Sequence, residues 1–130
     1  MAENLKPLFL SSNIVKKGWG EEIWIVNNDK YCGKLLRFNK SSKFSMHFHI
    51  IKDETWYILE GVFIFRYIDG KTANIIEKKL IKGDTVRIPS HLPHQLETHD
   101  GGTIIEISTQ HFDSDSLRVL KGDSQLKLPL

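Results

Sequence analysis

Residues 45–61 read SMHFHIIKDETWYILEG. Side chains two apart on a strand project from the same face, about 6 to 7 Å apart along the backbone. If MHFH is extended, His47 and His49 therefore converge, while Met46, Phe48 and Ile50 turn the other way. IIKD supplies a turn, and Glu54 opens the next strand with Trp56 and Ile58 on its own face. Two imidazoles and a carboxylate are a common ligand set for a divalent Zn, Mn, Fe, Co or Ni ion. The same residues also read as an ordinary hairpin that carries polar side chains.

On either side of this stretch, short runs rich in Ile, Val, Phe, Tyr and Thr alternate with turn residues, and no helical period is evident before position 113. Strands are expected over 21–26, 33–38, 43–49, 54–60, 62–68, 74–81, 85–89, 94–98 and 103–109. Asp69-Gly70, between two apolar runs, is a hairpin signal because such residues tolerate positive φ. Nine short strands in a chain of this length indicate an all-β sandwich or small barrel. The stretch DSDSLRVLKGD, 113–123, begins with residues suited to a helix N-cap and is expected as a short helix or turn. SQLKLPL, 124–130, reads as an arm or a partner contact.

Composition narrows the function classes. At 130 residues the chain fits one domain, and its 40% hydrophobic and 26% charged residues suit a folded globule. The net charge of +2 comes with scattered lysines, so a phosphate-tracking surface for nucleic acid is not expected. Cys32 is the single cysteine, which precludes an intrachain disulfide and fits a reducing compartment. The N-terminal stretch has an early acid, Glu3, and only the brief apolar run Leu8–Leu10, unlike a secretory leader. No apolar run approaches the ~20 residues a membrane helix needs. A cytoplasmic protein without membrane contact is the expectation.

A second stretch, GDTVRIPSHLPHQLET at 83–98, gives a Gly-Asp turn, a strand closed by Pro89, and His94 at the start of another strand. H-x-H, four residues, E, six residues, G, followed by G, five residues, P, four residues, H, resembles the two motifs of the cupin superfamily. The resemblance implies a small jelly-roll β-barrel in which His47, His49, Glu54 and His94 bind one metal ion. The first motif's usual upstream glycine is Ser41 here; in the second, the glycine after proline is His91 and the final asparagine is Thr98. VKKGWGEEIWIV, the two motif stretches and IIEISTQHFDSDSLRVLKGD, in this order, are similar to the cupin domain of type II mannose-6-phosphate isomerases. That likeness implies one cupin domain over 1–130, with a barrel core over about 14–120 and terminal arms. Glu106, Asp115 and Arg118 stand at the family's corresponding positions, whereas His47 replaces a glutamine, Thr55 a histidine and Gln95 an arginine.

Aldose–ketose interconversion moves a proton between adjacent carbons through an enediolate, whose charge a divalent cation can stabilise. The base must reach the carbon-bound proton with a pKa near neutrality. Glu97, Glu106 and Lys52 are candidates, Glu106 first if its strand faces inward. Lys34, Lys52, Arg87 and Arg118 are candidates to hold a phosphate, Arg118 on the family match. Against this, Lys34, Lys52 and Arg87 also read as solvated charges, and His91, His99 and His111 as surface residues. Trp19, Trp24 and Trp56 read as core or interface. Met46, Phe48, Phe63 and Phe65 exceed what one small interior can take beside the ligands, so a homodimer is expected. The leading expectation is a metal-dependent sugar or sugar-phosphate isomerase. Its alternatives are an Fe(II) dioxygenase and a non-catalytic metal- or sugar-binding module.

Overall fold

Alternation of apolar and polar residues produces antiparallel strands throughout the computed structural model, which describes residues 5–126. The strands are β1 (Asn13–Lys17), β2 (Gly20–Asn27), β3 (Cys32–Phe38), β4 (Ser42–Lys43), β5 (Met46–His49), β6 (Glu54–Gly61), β7 (Phe63–Ile68), β8 (Ile75–Leu80), β9 (Thr85–Ile88), β10 (His94–Thr98), β11 (Gly102–Ser108) and β12 (Ser116–Leu120). They form two sheets, ordered β1-β2-β3-β11-β6-β9 and β12-β5-β10-β7-β8, with β4 added to β10. The sheets make a sandwich of jelly-roll type, as the strand count predicts. No described helix is long and apolar enough to cross a membrane.

Two differences from the sequence reading have local causes. The stretch 113–123 is not a helix: Asp113–Asp115 forms one 3-10 turn, and Ser116–Leu120 pairs antiparallel with β5. Leu117, Val119 and β5's unpaired edge favour extension there, and only Asp123–Leu126 closes into a helical turn, α1. Asn13–Lys17, absent from the expected strands, is an edge strand on β2 whose lysines mask its alternation. Of the final seven residues, Ser124–Leu126 belong to α1, and the expected arm over 127–130 lies outside the described residues.

Cross-strand register divides the interior along the barrel axis. At one end Leu36, Ile104 and Ile58 are neighbours on β3, β11 and β6, beside the stacked rings of Trp19 and Phe38, 4.4 Å apart. Phe44, Phe63, Phe65, Leu80 and Leu96 extend this core, and Trp56 and Ile88 continue it along β6 and β9 beside Glu106 and Glu54. Burying one such side chain contributes about 1.5–3 kcal/mol. One row further along the same strands come Trp24, Lys34, Glu106 and Trp56, and beyond them Ser108 and Glu54. One end is apolar, and the other adds charged groups to the packing of Trp56 and Ile88.

The turns bear out the motif positions. Gly61 has φ +96, and a Cβ there would lie 2.5 Å from the Gly101 carbonyl oxygen, so only glycine fits. Ser41 and His91, standing where the two motifs have glycine, also take left-handed φ, 50° and 73°. Asp69 organises the β7–β8 turn by accepting from the Lys71 and Thr72 amides, although the positive φ falls on Ala73 rather than Gly70. Met46, Phe63 and Phe65 are buried within the chain, which removes the packing argument made for a homodimer.

Candidate metal centre and cavity

β5 and β10 bring three imidazoles together. His47 and His94 are cross-strand partners, His49 lies two residues on, and their nitrogens come within 4.8 Å of one another, close enough to hold a metal ion. Each ring is anchored through Nδ1 to a main-chain carbonyl: His47 to Ser45 at 2.8 Å, His49 to Asp115 at 3.1 Å, His94 to Leu92 at 2.8 Å. A carbonyl only accepts, so Nδ1 carries the hydrogen, and in a neutral ring that leaves Nε2 as a bare lone pair. Burial, then the neighbouring imidazoles, pushes His47 well below its ordinary pKa. Burial also lowers His94.

Glu54 opens β6 beneath these rings. Its Oε1 accepts the Trp56 indole N–H at 2.6 Å, while Oε2 lies 3.2 Å from His49 Nε2 and 3.7 Å from His94 Nε2. Among the described residues, Glu54 Oε2 and His94 Nε2 are buried without a hydrogen-bond partner. Lone pairs facing one another at such distances repel unless a cation lies among them, and leaving buried polar atoms unsatisfied is costly. The donor set therefore fits a divalent ion. Burial alone would raise Glu54, but the nearby Lys52 ammonium opposes this, and its carboxyl is held below the usual range.

A cavity of about 440 Å³ opens from this cluster. Glu106 faces into it from β11, buried, whereas its neighbour Ile107 is exposed. Lys52 is also buried, and its ammonium lies 3.3 Å from Glu106 Oε2. Burial raises Glu106 despite that ammonium, and it opposes a rise in Lys52 that Glu106 and Glu54 impose. Lys34 is buried too, 3.3 Å from Glu22 and 4.3 Å above the Trp24 ring, so neither lysine is the solvated charge considered from sequence. Arg118 on β12 lines the rim without an ion-pair partner among the described residues.

Other expectations are corrected. Glu97 points outward and pairs with Arg66 at 2.7 Å, which removes it as a base. Arg87 is exposed outside the cavity and forks onto Asp53, at 3.1 and 2.7 Å, which removes it from the phosphate set. His111 is not a surface residue: it lines the cavity, with Nδ1 3.2 Å from the Lys52 ammonium and Nε2 2.9 Å from Asp113. No periodic signal marks position 111, because it lies in the irregular segment between β11 and β12. Trp19 and Trp56 are core, while Trp24 is half-buried on the cavity wall.

Comparison with known proteins adds three findings. A family model described as a cupin domain matches residues 34–108. The capsular polysaccharide assembling protein CapF from Staphylococcus aureus superposes with a TM-score of 0.73 at 19% identity, over 85% of this chain and 33% of that one. Oxalate decarboxylase from Bacillus subtilis does so with 0.75 at 16% identity, over 92% of this chain and 33% of that one; a further structure of that enzyme concerns its Mn(II) centers. This chain thus spans about a third of either neighbour, and at these identities the likeness is one of fold. No curated protein matches in sequence.

Proposed function

The chain belongs to the cupin family, and from that premise we propose that it is a metal-dependent enzyme moving a proton between adjacent carbons of a sugar or sugar phosphate, an aldose–ketose isomerase. The observation that carries this reading is the buried Lys52–Glu106 pair, which shares one cavity with His47, His49 and Glu54. His47, His49, Glu54 and His94 are the residues that would hold the ion. When bound there, a divalent ion supplies Lewis-acid stabilisation to negative charge developing on substrate oxygens.

The chain's own residues account for the rest. Glu106, with its pKa raised by burial, is the base, since a carboxylate moved toward neutrality both accepts and returns a proton. Lys52 sits against it as a donor to an adjacent substrate oxygen. Arg118, at the rim without an ion-pair partner among the described residues, is placed to take an anionic group such as a phosphate. Lys34, Glu22, Lys52 and Glu106 put charged groups on a wall shared with Trp19, Leu36 and Phe44, which suits a hydroxylated substrate that also packs against aromatic rings. A homodimer remains part of the proposal on different residues. In register across β2, β3, β11 and β6, Ile23, Leu35, Ile105 and Tyr57 line the outer face of one sheet beside the exposed Ile107 and Leu59.

The test is to measure bound metal in the purified protein and then follow mannose 6-phosphate in D₂O by NMR. Deuterium entering at C1 or C2 supports isomerisation. None with any divalent metal added overturns it, leaving the oxygenase and the binding module.

A further inference from the structure

The segment between β11 and β12 holds Lys52 at two points. Asp115 accepts the Lys52 backbone amide at 3.0 Å through Oδ2, together with the Ile50 and Ile51 amides at 2.9 and 3.0 Å through Oδ1. His111 meets the other end of the residue, with Nδ1 3.2 Å from the Lys52 ammonium. The tautomer follows from its neighbours. Asp113 can only accept, at 2.9 Å, so Nε2 carries the hydrogen and Nδ1 presents a lone pair to the lysine. Burial, then the Lys34 and Lys52 charges, lowers His111 to about 4, so it stays neutral and keeps that lone pair near neutral pH.

His111 is itself held firmly. The Asn27 side chain bonds its backbone both ways, accepting from the amide at 2.8 Å and donating to the carbonyl at 3.1 Å. Trp24 packs edge-on to its ring, with centroids 5.0 Å apart. An imidazole this constrained, aimed at a buried ammonium that also touches Glu106, does more than fill space. We propose that His111 is a positioning residue, fixed by Asn27, Trp24 and Asp113, that holds the Lys52 ammonium against Glu106 inside the cavity. The kinetic consequence rests on the isomerase reading; the geometric claim does not. Displacing a reacting group by about 1 Å can cost ~100-fold in rate. Loss of His111 should therefore lower kcat more than it raises KM.

The test compares His111→Phe, which keeps an aromatic ring against Trp24, with His111→Gln, whose amide oxygen can still accept from Lys52. Metal-loaded proteins are treated with sulfo-N-hydroxysuccinimidyl acetate, and acetylation of Lys52 and Lys34 is followed by peptide mass spectrometry. Expected is about tenfold or greater acceleration at Lys52 in His111→Phe, the scale of one lost hydrogen bond to a charged group, with Lys34 unchanged and Lys52 protection largely restored in His111→Gln. An unchanged Lys52 rate in His111→Phe, or an equal rise at Lys34, overturns the proposal. Deuterium exchange into mannose 6-phosphate is measured on the same samples. Absence of exchange in the unsubstituted protein overturns the isomerase reading alone, while the acetylation result still decides the role of His111.

Discussion

At Glu54 the two carboxylate oxygens have different neighbours: the indole of Trp56 takes one, and two imidazoles face the other. Trp56 thereby fixes which oxygen is presented. Replacing Trp56 by Phe should weaken metal binding by about 10- to 100-fold, the usual cost of losing an outer hydrogen bond to a ligand, read by competition against a chromophoric chelator. His94→Ala should abolish retention of metal through purification, measured by elemental analysis; unchanged content would disprove the proposed four-residue set. These residues were legible because motif spacing and strand alternation act together: His47, His49 and Glu54 fall on inward positions for the same reason that Leu96 does. Glu106 was undecided, since alternation gives two faces without saying which is inner. His111 gave no signal. Its lowered pKa has its own consequence. Burial disfavours the charged ring, so the folded state binds fewer protons than the unfolded state between the ordinary value of 6.5 and about 4. Stability is fully present above that window and declines as pH falls through it. In His111→Gln the decline over this range should be shallower, measured by denaturant titration at stepped pH.

The segment from Asp113 to Leu120 shows at the scale of elements how a sequence signal can mislead. Residues suited to an N-cap were present, yet three backbone amides of the β5–β6 turn lacked any other acceptor, and Asp115 supplies it. Burial would raise this carboxyl, but the amides of Ile51, Lys52 and Ile50 hold it below its usual range. Asp115→Ala should destabilise the protein by about 1–3 kcal/mol, chiefly because the buried Lys52 amide is left unsatisfied; equilibrium urea unfolding gives the value. The turns give the opposite sign. Ser41 and His91 hold left-handed conformations that glycine adopts without steric cost, so Ser41→Gly and His91→Gly should each be neutral or stabilising, by up to about 1 kcal/mol. The motif glycines were thus readable as backbone conformations even where the residues themselves differ.

For the molecule as a whole, a ligand that binds only the folded chain stabilises it by mass action, about 2.7 kcal/mol when present at 100 times its Kd. Removing metal with a chelator should lower Tm by several degrees, and His94→Ala should show no such response. Sedimentation tests the proposed dimer: a monomer at micromolar concentration would exclude it, and Ile107→Lys should dissociate it if the outer face of the first sheet is the contact. The jelly-roll topology was legible because strand count, turn residues and motifs agree; β1 and β12 escaped because edge strands carry weak alternation.

The axial division of the interior reaches further than catalysis. Leu36, Ile104 and Ile58 make the packing row, while Lys34 and Glu106, one row along two of the same strands, belong to the chemical end. A protein so arranged can exchange its reactive groups with little disturbance of the residues that hold it folded. The chemical end is thus the part that selection or design can rewrite, on a frame that stays the same.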